Sequence, residues 1–261
     1  MSIRQLSIRQ LSIIKFMANL IVDEGNTLCK IAVVDKSEVL CEASAPDFDL
    51  ERATGLIEQF AIEQAIVAST RGGAERICEQ LRSKIARVLH FTSLTEAPIE
   101  IDYSSRQTLG ADRIAAAVGV VCGMGIKDAL VVDMGSAITF DIIESGAFLG
   151  GNISLGVGMR FRALHEFTAS LPLCDATEPN NAFGRSTTEA IEQGVMQGIL
   201  YEIEGYVERI SAKNRELSIV FCGGDAKYFV NQIKNAIFAG RKLMFTGLNL
   251  ILEYNVSKNN I

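Results

Sequence analysis

The order of apolar and polar stretches along the chain predicts strands and helices in an α/β arrangement. Apolar, β-branched residues on both sides of Asp23–Thr27 predict a hairpin with a tight polar turn. Asp49–Phe60 and Gly73–Ile85 have helical patterns, and each is followed by a short apolar strand, Ala65–Ser69 and Val88–Phe91. This alternation is typical of an α/β layer with a mostly parallel sheet.

A near-copy of the first turn returns later in the chain. The first copy is Asp23–Thr27 and the second is Asp133–Ala137, and each lies between two apolar strands. A duplicated strand–Asp-x-Gly–strand unit predicts two similar lobes that face a shared cleft. We expect the lobes to span residues 17–128 and 129–261.

The second half continues the α/β pattern. Gly150–Gly158 is predicted to be a glycine-dense loop that leads into a helix ending at about Ala169. Ser186 and Glu189 have the spacing of a capping box, and the helix that they start carries an apolar stripe. Leu217–Cys222 is a predicted strand, after which Gly223-Gly224-Asp225 should turn into another helix.

Composition and charge narrow the class of protein. Apolar residues make up 48% and charged residues 21%, as in ordinary globular proteins, and the net charge of −6 argues against nucleic-acid binding. The six cysteines form no Cys-x-x-Cys pair, which argues against a zinc site and fits a reducing cytoplasm. The apolar run Ile114–Ile126 is short and interrupted by glycine, so we expect no membrane span.

The N-terminal segment contains a direct repeat, since Ser2–Leu6 returns at once as Ser7–Leu11. This basic segment lacks a continuous apolar region and a cleavage site, so it does not resemble a signal peptide. We expect Met17 to be the native start and residues 1–16 to be a misassigned or disordered extension.

The two Asp-x-Gly turns have the residue types that bind a nucleoside triphosphate. Glycine lets backbone amides approach phosphate oxygens, and Asn26, Thr27 and Ser136 supply further donors. A carboxylate repels phosphate, so Asp23 and Asp133 are suited to hold a cation or its water shell. One such turn alone is explained by an ordinary hairpin, whereas two copies favour a nucleotide site. The sequence contains no P-loop motif.

Asp112 is the best candidate for a general base, because it precedes Arg113 at a predicted helix start behind Gly110. A helix N-terminus with an arginine suits an anionic substrate. The alternative is an Asp placed to complement the helix dipole. Thr187 and Tyr103 also have structural interpretations. Thr187 could belong to a helix cap, and Tyr103 could be a strand residue with a hydrated hydroxyl.

The motifs together resemble those of type III pantothenate kinases, a family of the superfamily that contains acetate kinase, sugar kinases and actin. The resemblance runs from about Met17 to the C-terminus. In chain order it rests on Asp23–Thr27, Gly110–Arg113, Asp133–Ala137, Gly184–Thr187, Gly223–Ala226 and Thr246–Leu248, the last as a helix start.

The resemblance implies two tandem ribonuclease-H-like (actin-like ATPase) lobes around a nucleotide cleft. It implies ATP-dependent phosphorylation of pantothenate to 4'-phosphopantothenate, the first step of coenzyme A biosynthesis, in the cytoplasm. Asp112 would accept the proton, and the residues binding pantothenate would be Tyr103, Gly110, Ala111, Asp112, Arg113 and Thr187. The residues binding ATP would be Asp23, Glu24, Gly25, Asn26, Thr27, Leu28, Cys29, Lys30 and Ser136.

The resemblance also implies cations and an assembly. Mg²⁺ would accompany ATP, and Asp133 would hold a monovalent cation, K⁺ or NH₄⁺. The protein would be a homodimer in which Thr187 serves the neighbouring subunit's pocket, with no nucleic-acid or membrane partner.

Four positions depart from the family's pattern. Glu24 replaces an apolar residue and adds a negative charge close to the phosphates if its side chain faces them. Ser136 replaces threonine, Ser186 replaces asparagine and Leu155 replaces proline, and none of these changes removes a proposed catalytic group.

Two alternative functions stay open. One is a superfamily kinase for another small hydroxylated substrate, such as a sugar or small acid, against which the Gly110–Arg113 motif argues. The other is a non-catalytic nucleotide-binding regulator on the same fold. The intact functional residues argue against it, namely Asp23, Asp112, Arg113 and Asp133.

Overall fold

The structure is a computed structural model that describes residues 18–180, 182–212, 216–259 and 261. The expected extension, residues 1–16, and the expected start at Met17 lie outside these residues. The chain divides into two compact units, one holding the described residues up to Thr92 with those of Asn255–Ile261, the other Ser93–Tyr254. The boundary at 128/129 stays a prediction. In the described part of the chain, no helix is long and apolar enough to cross a membrane.

Strands and helices alternate in the first unit. Its strands are β1 (Asn19–Glu24), β2 (Cys29–Asp35), β3 (Glu38–Ala45), β4 (Gln64–Ser69) and β5 (Arg87–His90), and its helices are α1 (Leu50–Phe60) and α2 (Ala74–Arg82). These elements confirm the predicted hairpin and the two predicted helix–strand pairs. The side chain of Asp49 caps α1 by accepting a hydrogen bond from the backbone N–H of Arg52 at 3.0 Å.

The second unit repeats this order. It comprises α3 (Ala111–Val118), β6 (Ala129–Met134), β7 (Ala137–Glu144), β8 (Ala147–Leu155), α4 (Val157–Glu166), α5 (Thr187–Ser211), β9 (Ser218–Cys222), β10 (Ala236–Phe238) and most of α6 (Lys242–Ser257). A π-helical turn, Gly119–Gly123, continues α3. Ser186 caps α5 as predicted, since its hydroxyl accepts a hydrogen bond from the backbone N–H of Glu189 at 3.3 Å.

The two sheets have the same topology. The first has the strand order β3-β2-β1-β4-β5 and the second β8-β7-β6-β9-β10. In each sheet the hairpin strands pair antiparallel and the remaining pairs are parallel. The predicted pair of ribonuclease-H-like α/β lobes is therefore confirmed. The prediction of a mostly parallel sheet is wrong, because each hairpin and its following strand contribute antiparallel pairs.

Each sheet has an apolar face over which some of the helices of its unit pack. In the first unit, alternate residues of β1, β2 and β4, such as Leu20 and Val22, pack with Ile77 and Leu81 of α2. In the second unit, β6, β7 and β9 pack with α4 and with the apolar stripe of α5 that the sequence predicted. Strand residues between these positions face the other way, and this places Asp133 and Asp141 on the opposite face from Phe140.

Asp23 and Asp133 occupy the same place in the two repeats. Each is the fifth residue of a six-residue strand, β1 or β6. Beyond them the hairpins differ, because Glu24 pairs with Cys29 whereas Met134 pairs with Ile138. The first turn thus spans residues 25–28 and the second 135–137, so the first is one residue longer.

Three segment predictions are wrong. The first six residues of the predicted loop Gly150–Gly158 belong to β8, where Gly150 has a positive φ of 113° and the Phe140 carbonyl leaves no room for a Cβ atom at Gly151. The helix predicted after Asp225 is a pair of short 3₁₀ turns. Thr246–Leu248 lies inside α6 rather than at its start.

We expect Gly247→Ala to lower the free energy of unfolding by about 1–3 kcal/mol, because helix α6 crosses the backbone of α3 at this glycine. A Cβ atom at Gly247 would lie under 3.0 Å from the carbonyl oxygen of Ala115. The matched control is Gly205→Ala within α5, where no atom lies within 4 Å of the added Cβ. That control should stabilise the protein by up to about 1 kcal/mol. Urea denaturation measures both, and equal effects would contradict the packing argument.

Candidate active site

The carboxylate of Asp112 lies in the first turn of α3. Its Oδ1 accepts a hydrogen bond from the backbone N–H of Arg113 at 2.9 Å. A Cβ atom on Gly110, directly before the helix, would overlap this oxygen, and Ala111 is the first helical residue. Glycine at position 110 therefore leaves space for the carboxylate, which stays half-buried.

Arg113 and Asp141 form a buried ion pair beside this carboxylate. The guanidinium donates from Nε to Asp141 Oδ1 at 2.9 Å and from Nη2 to the same oxygen, while the Thr139 hydroxyl donates to Oδ2 at 3.1 Å. Burial raises the pKa of Asp141, against the lowering effect of Arg113 and Thr139. Burial lowers the pKa of Arg113, but Asp141 raises it overall. Two guanidinium donors on one carboxylate oxygen are the arrangement of an ion pair, in which both groups are charged.

Two aromatic rings flank the guanidinium. Arg113 Cζ lies 5.8 Å from the ring centroid of Tyr103 and 5.6 Å from that of Phe148. The two rings are 6.1 Å apart at 57°. This arginine cluster, formed by Tyr103, Arg113, Asp141 and Phe148, is a preorganised cation with apolar walls. It brings together Tyr103 and Arg113, two of the predicted substrate residues. Thr187, the exposed first residue of α5, does not belong to it.

Asp133 is the fifth residue of the six-residue strand β6. Its neighbour across the parallel pair is Cys222 of β9. Burial raises the pKa of the Cys222 thiol well above its ordinary value, and the charges of Asp133, Asp141 and Asp112 raise it further. The charges of these three carboxylates therefore all disfavour the thiolate form of Cys222. Ser136, in the turn after Asp133, is exposed.

The side chains near Asp133 limit which groups could coordinate a cation there. No group of three or more His, Cys, Asp and Glu side chains is arranged for a metal ion within the described residues. A cation beside Asp133 would therefore draw its other ligands from backbone carbonyls, water and phosphate oxygens. Mg²⁺ bound to a nucleotide is commonly held this way, by one or two carboxylates and the phosphates. One carboxylate with carbonyl, water and phosphate oxygens also fits a monovalent cation such as K⁺, for which backbone carbonyls are suitable ligands.

The first turn pairs a carboxylate with a lysine. Lys30 Nζ lies 3.0 Å from Asp23 Oδ2 across the β1–β2 hairpin. The backbone N–H of Gly25 donates to the carbonyl of Leu28 at 3.0 Å and closes the turn, whose residues Asn26, Thr27 and Leu28 are exposed. Cys29 is buried, and burial, followed by the charges of Glu24 and Asp23, raises its pKa to about 11.

Glu24 is buried and faces the connection between β4 and α2. It is 4% exposed, and its carboxylate accepts hydrogen bonds from the Ser69 hydroxyl and from the backbone N–H of Gly73 at 3.1 Å. Arg71 Nη2 lies 3.6 Å from its other oxygen. The negative charge that Glu24 adds to the first turn, as a departure from the family's pattern, is therefore paired with donors of its own.

Sequence reasoning assigned no role to Asp141 or Phe148, or to the partners of Glu24. An acidic residue inside the apolar strand Ile138–Ile143 was a signal for a buried partner, since a charge is rarely buried unpaired. The sequence does not identify that partner, because Arg113 lies on a helix before the strand.

The two repeated units place the protein in a class of folds that also contains small-molecule kinases. A solved structure from Sinorhizobium meliloti, assigned as a 2-dehydro-3-deoxygalactonokinase, is 13% identical, with a TM-score of 0.58 over 90% of this chain and 98% of that one. Another from Campylobacter jejuni, assigned to the Baf family of transcriptional activators, is 24% identical, with a TM-score of 0.63 over 91% and 99%. At these identities the likeness concerns the fold.

Sequence similarity identifies the family. The model of the type III pantothenate kinase family matches residues 19–209. The type III pantothenate kinase of Bacteroides fragilis (strain YCH46) is 39% identical over 238 residues, which are 91% of this chain and 98% of that protein. This chain belongs to the type III pantothenate kinase family, and the resemblance seen in its motifs is confirmed.

Proposed function

We propose that this protein transfers the γ-phosphoryl group of ATP to the primary hydroxyl of pantothenate and releases 4'-phosphopantothenate and ADP, as the first step of coenzyme A biosynthesis. Membership of a kinase family implies ATP as the phosphoryl donor. The observation that carries the assignment is the family match over most of the chain. The arginine cluster beside Asp112 supports it.

Asp112 acts as the general base in this proposal. Its carboxylate takes the proton of the hydroxyl as the oxygen–phosphorus bond forms and the bond to the β–γ bridging oxygen breaks. Gly110, Ala111 and Arg113 shape the pocket around it, and Tyr103 closes one side. The buried cation of Arg113 suits an anionic substrate, although Asp141 neutralises part of its charge.

The two turns and the cations serve the phosphates. The stretch Asp23–Lys30 and Ser136 bind ATP, with backbone amides and hydroxyls as donors. Asp133 holds a monovalent cation, K⁺ or NH₄⁺, while Mg²⁺ comes with the nucleotide. When bound, these cations neutralise charge that develops on the phosphoryl oxygens.

The proposed assembly is a cytoplasmic homodimer in which Thr187 reaches the neighbouring subunit's pocket. The exposed position of Thr187 outside the arginine cluster supports this role. Exposed apolar side chains of the second unit, Ile153, Leu155 and Phe183, fit a protein surface that another subunit covers.

The test is an ATP-coupled assay with a panel of hydroxylated substrates. We expect turnover of pantothenate in the presence of K⁺, and slower turnover when Na⁺ replaces K⁺. Faster turnover of a sugar or small acid would favour another superfamily kinase. Nucleotide binding without turnover of any substrate would favour a regulator, and indifference to the monovalent cation would contradict the role of Asp133.

A further inference from the structure

Glu24 joins the base of the first turn to a distant segment of the first unit. Its carboxylate has three partners between β4 and α2: the Ser69 hydroxyl, the Gly73 N–H and the Arg71 guanidinium. Its backbone carbonyl accepts from Thr70 as well, from the N–H at 2.9 Å and from the hydroxyl at 3.3 Å. We call the contacts of Glu24 with residues 69–73 the Glu24 clamp.

The clamp extends to a third segment through Arg71. Its Nη2 donates to the carbonyl of Pro46 at 2.9 Å, and its Nη1 donates to Asp47 at 3.4 Å, both in the connection from β3 to α1. The clamp requires glycine at position 73, because a Cβ atom there would overlap both carboxylate oxygens of Glu24. A buried carboxylate with several donors and one cation is held rigidly.

In the second repeat, the corresponding strand end and segment approach each other without a charged side chain. Met134 occupies the position of Glu24 and is fully buried in the apolar core. The segment after its parallel neighbour β9 approaches by backbone packing, since a Cβ atom on Gly223 would overlap the main chain of Met134. In both repeats the residue between Asp and Gly therefore lies against the segment that follows the next parallel strand, through its carboxylate in the first repeat and its main chain in the second.

We propose that Glu24 is a positioning residue for ATP binding. It clamps the end of β1 to the β4–α2 connection and thereby fixes the phosphate turn at residues 25–28. This inference rests on the proposed role of that turn in the kinase reaction. The tip of the turn is exposed, so its geometry depends on its base. At the base of the turn, the strand pairing of Glu24 with Cys29 and the contacts of Glu24 with residues 69–73 together hold the chain in place.

The test compares Glu24→Leu, Glu24→Gln and Gly73→Ala with the wild-type protein. Leucine removes the acceptors, glutamine keeps one carbonyl acceptor, and alanine at position 73 displaces an intact Glu24 carboxylate. We expect Glu24→Leu and Gly73→Ala to raise KM for ATP by about tenfold or more, since a displacement of about 1 Å in a positioning group can cost on the order of 10²-fold. Glu24→Gln should lie between them and the wild type.

KM for pantothenate should stay within about twofold of the wild-type value, because the pantothenate residues lie elsewhere in the chain. The matched control is Glu42→Leu, an exposed carboxylate of β3 in the same sheet, which should leave both KM values unchanged. Urea denaturation of each variant shows whether it is folded under the assay conditions.

Titration calorimetry with ATP alone separates this inference from the proposed reaction. Weaker ATP binding by folded Glu24→Leu supports the clamp, even if pantothenate is not turned over. A folded Glu24→Leu with wild-type affinity for ATP overturns the proposal, whether or not its stability has fallen. A wild-type protein that binds no ATP would overturn both proposals.

Discussion

Asp112→Asn should lower kcat for pantothenate phosphorylation by about 10²- to 10⁴-fold, the usual contribution of one general base. The amide is nearly the same size as the carboxylate and keeps an oxygen for the Arg113 N–H, so helix α3 should be undisturbed. It cannot take a proton from the substrate hydroxyl. Because the change affects the transition state, KM for ATP should move little.

The control for this variant is Asp175→Asn, an exposed aspartate in the same unit. It should keep full activity. Initial rates at saturating ATP and pantothenate measure both variants, with circular dichroism to compare their folds. An Asp112→Asn enzyme with wild-type kcat would leave Asp112 only the role of complementing the helix dipole.

Asp141→Asn should lower the free energy of unfolding by about 3–5 kcal/mol, because it leaves the Arg113 guanidinium buried beside a neutral group. Both members of the pair are almost fully buried. The loss measures the cost of an unpaired charge rather than the net value of the pair. Burial already raises the pKa of Asp141, so desolvation offsets much of the attraction.

Two further variants distinguish these contributions. Replacing the pair by apolar residues, in Arg113→Met with Asp141→Leu, should recover much of the lost stability because no buried charge remains. Glu75→Gln disrupts the exposed pair with Arg82 and should cost no more than about 1 kcal/mol. If denaturant unfolding gave the same loss for Asp141→Asn and Glu75→Gln, burial would not be the cause.

The sequence predicted those parts of the site that repeat or that follow local rules. Asp23 and Asp133 were recognised as a pair because each ends an apolar strand and precedes a glycine turn. The cap of α5 was predicted from the spacing of Ser186 and Glu189, and the Ser186 hydroxyl accepts a hydrogen bond from the backbone N–H of Glu189. Such signals lie within a few neighbouring residues, so a sequence contains them in full.

The wrong or missing predictions depend on contacts between distant residues. Glycine lowers strand propensity, so Gly150 and Gly151 suggested a loop. Both lie in β8, where Gly150 has a positive φ and the Phe140 carbonyl occupies the space of a Cβ atom at Gly151. The sequence left the orientation of the Glu24 side chain open, because the donors that it meets, on residues 69–73, lie beyond α1 in the chain.

Because the first turn has one residue more than the second, the length of a turn can change while the strand position of its aspartate stays the same. The duplicated strands keep Asp23 and Asp133 at one register position, while the chain beyond them closes over residues 25–28 in one half and 135–137 in the other. Divergence after a duplication could therefore lengthen one loop without displacing its carboxylate. A designer could lengthen the second turn in the same way and leave Asp133 in place.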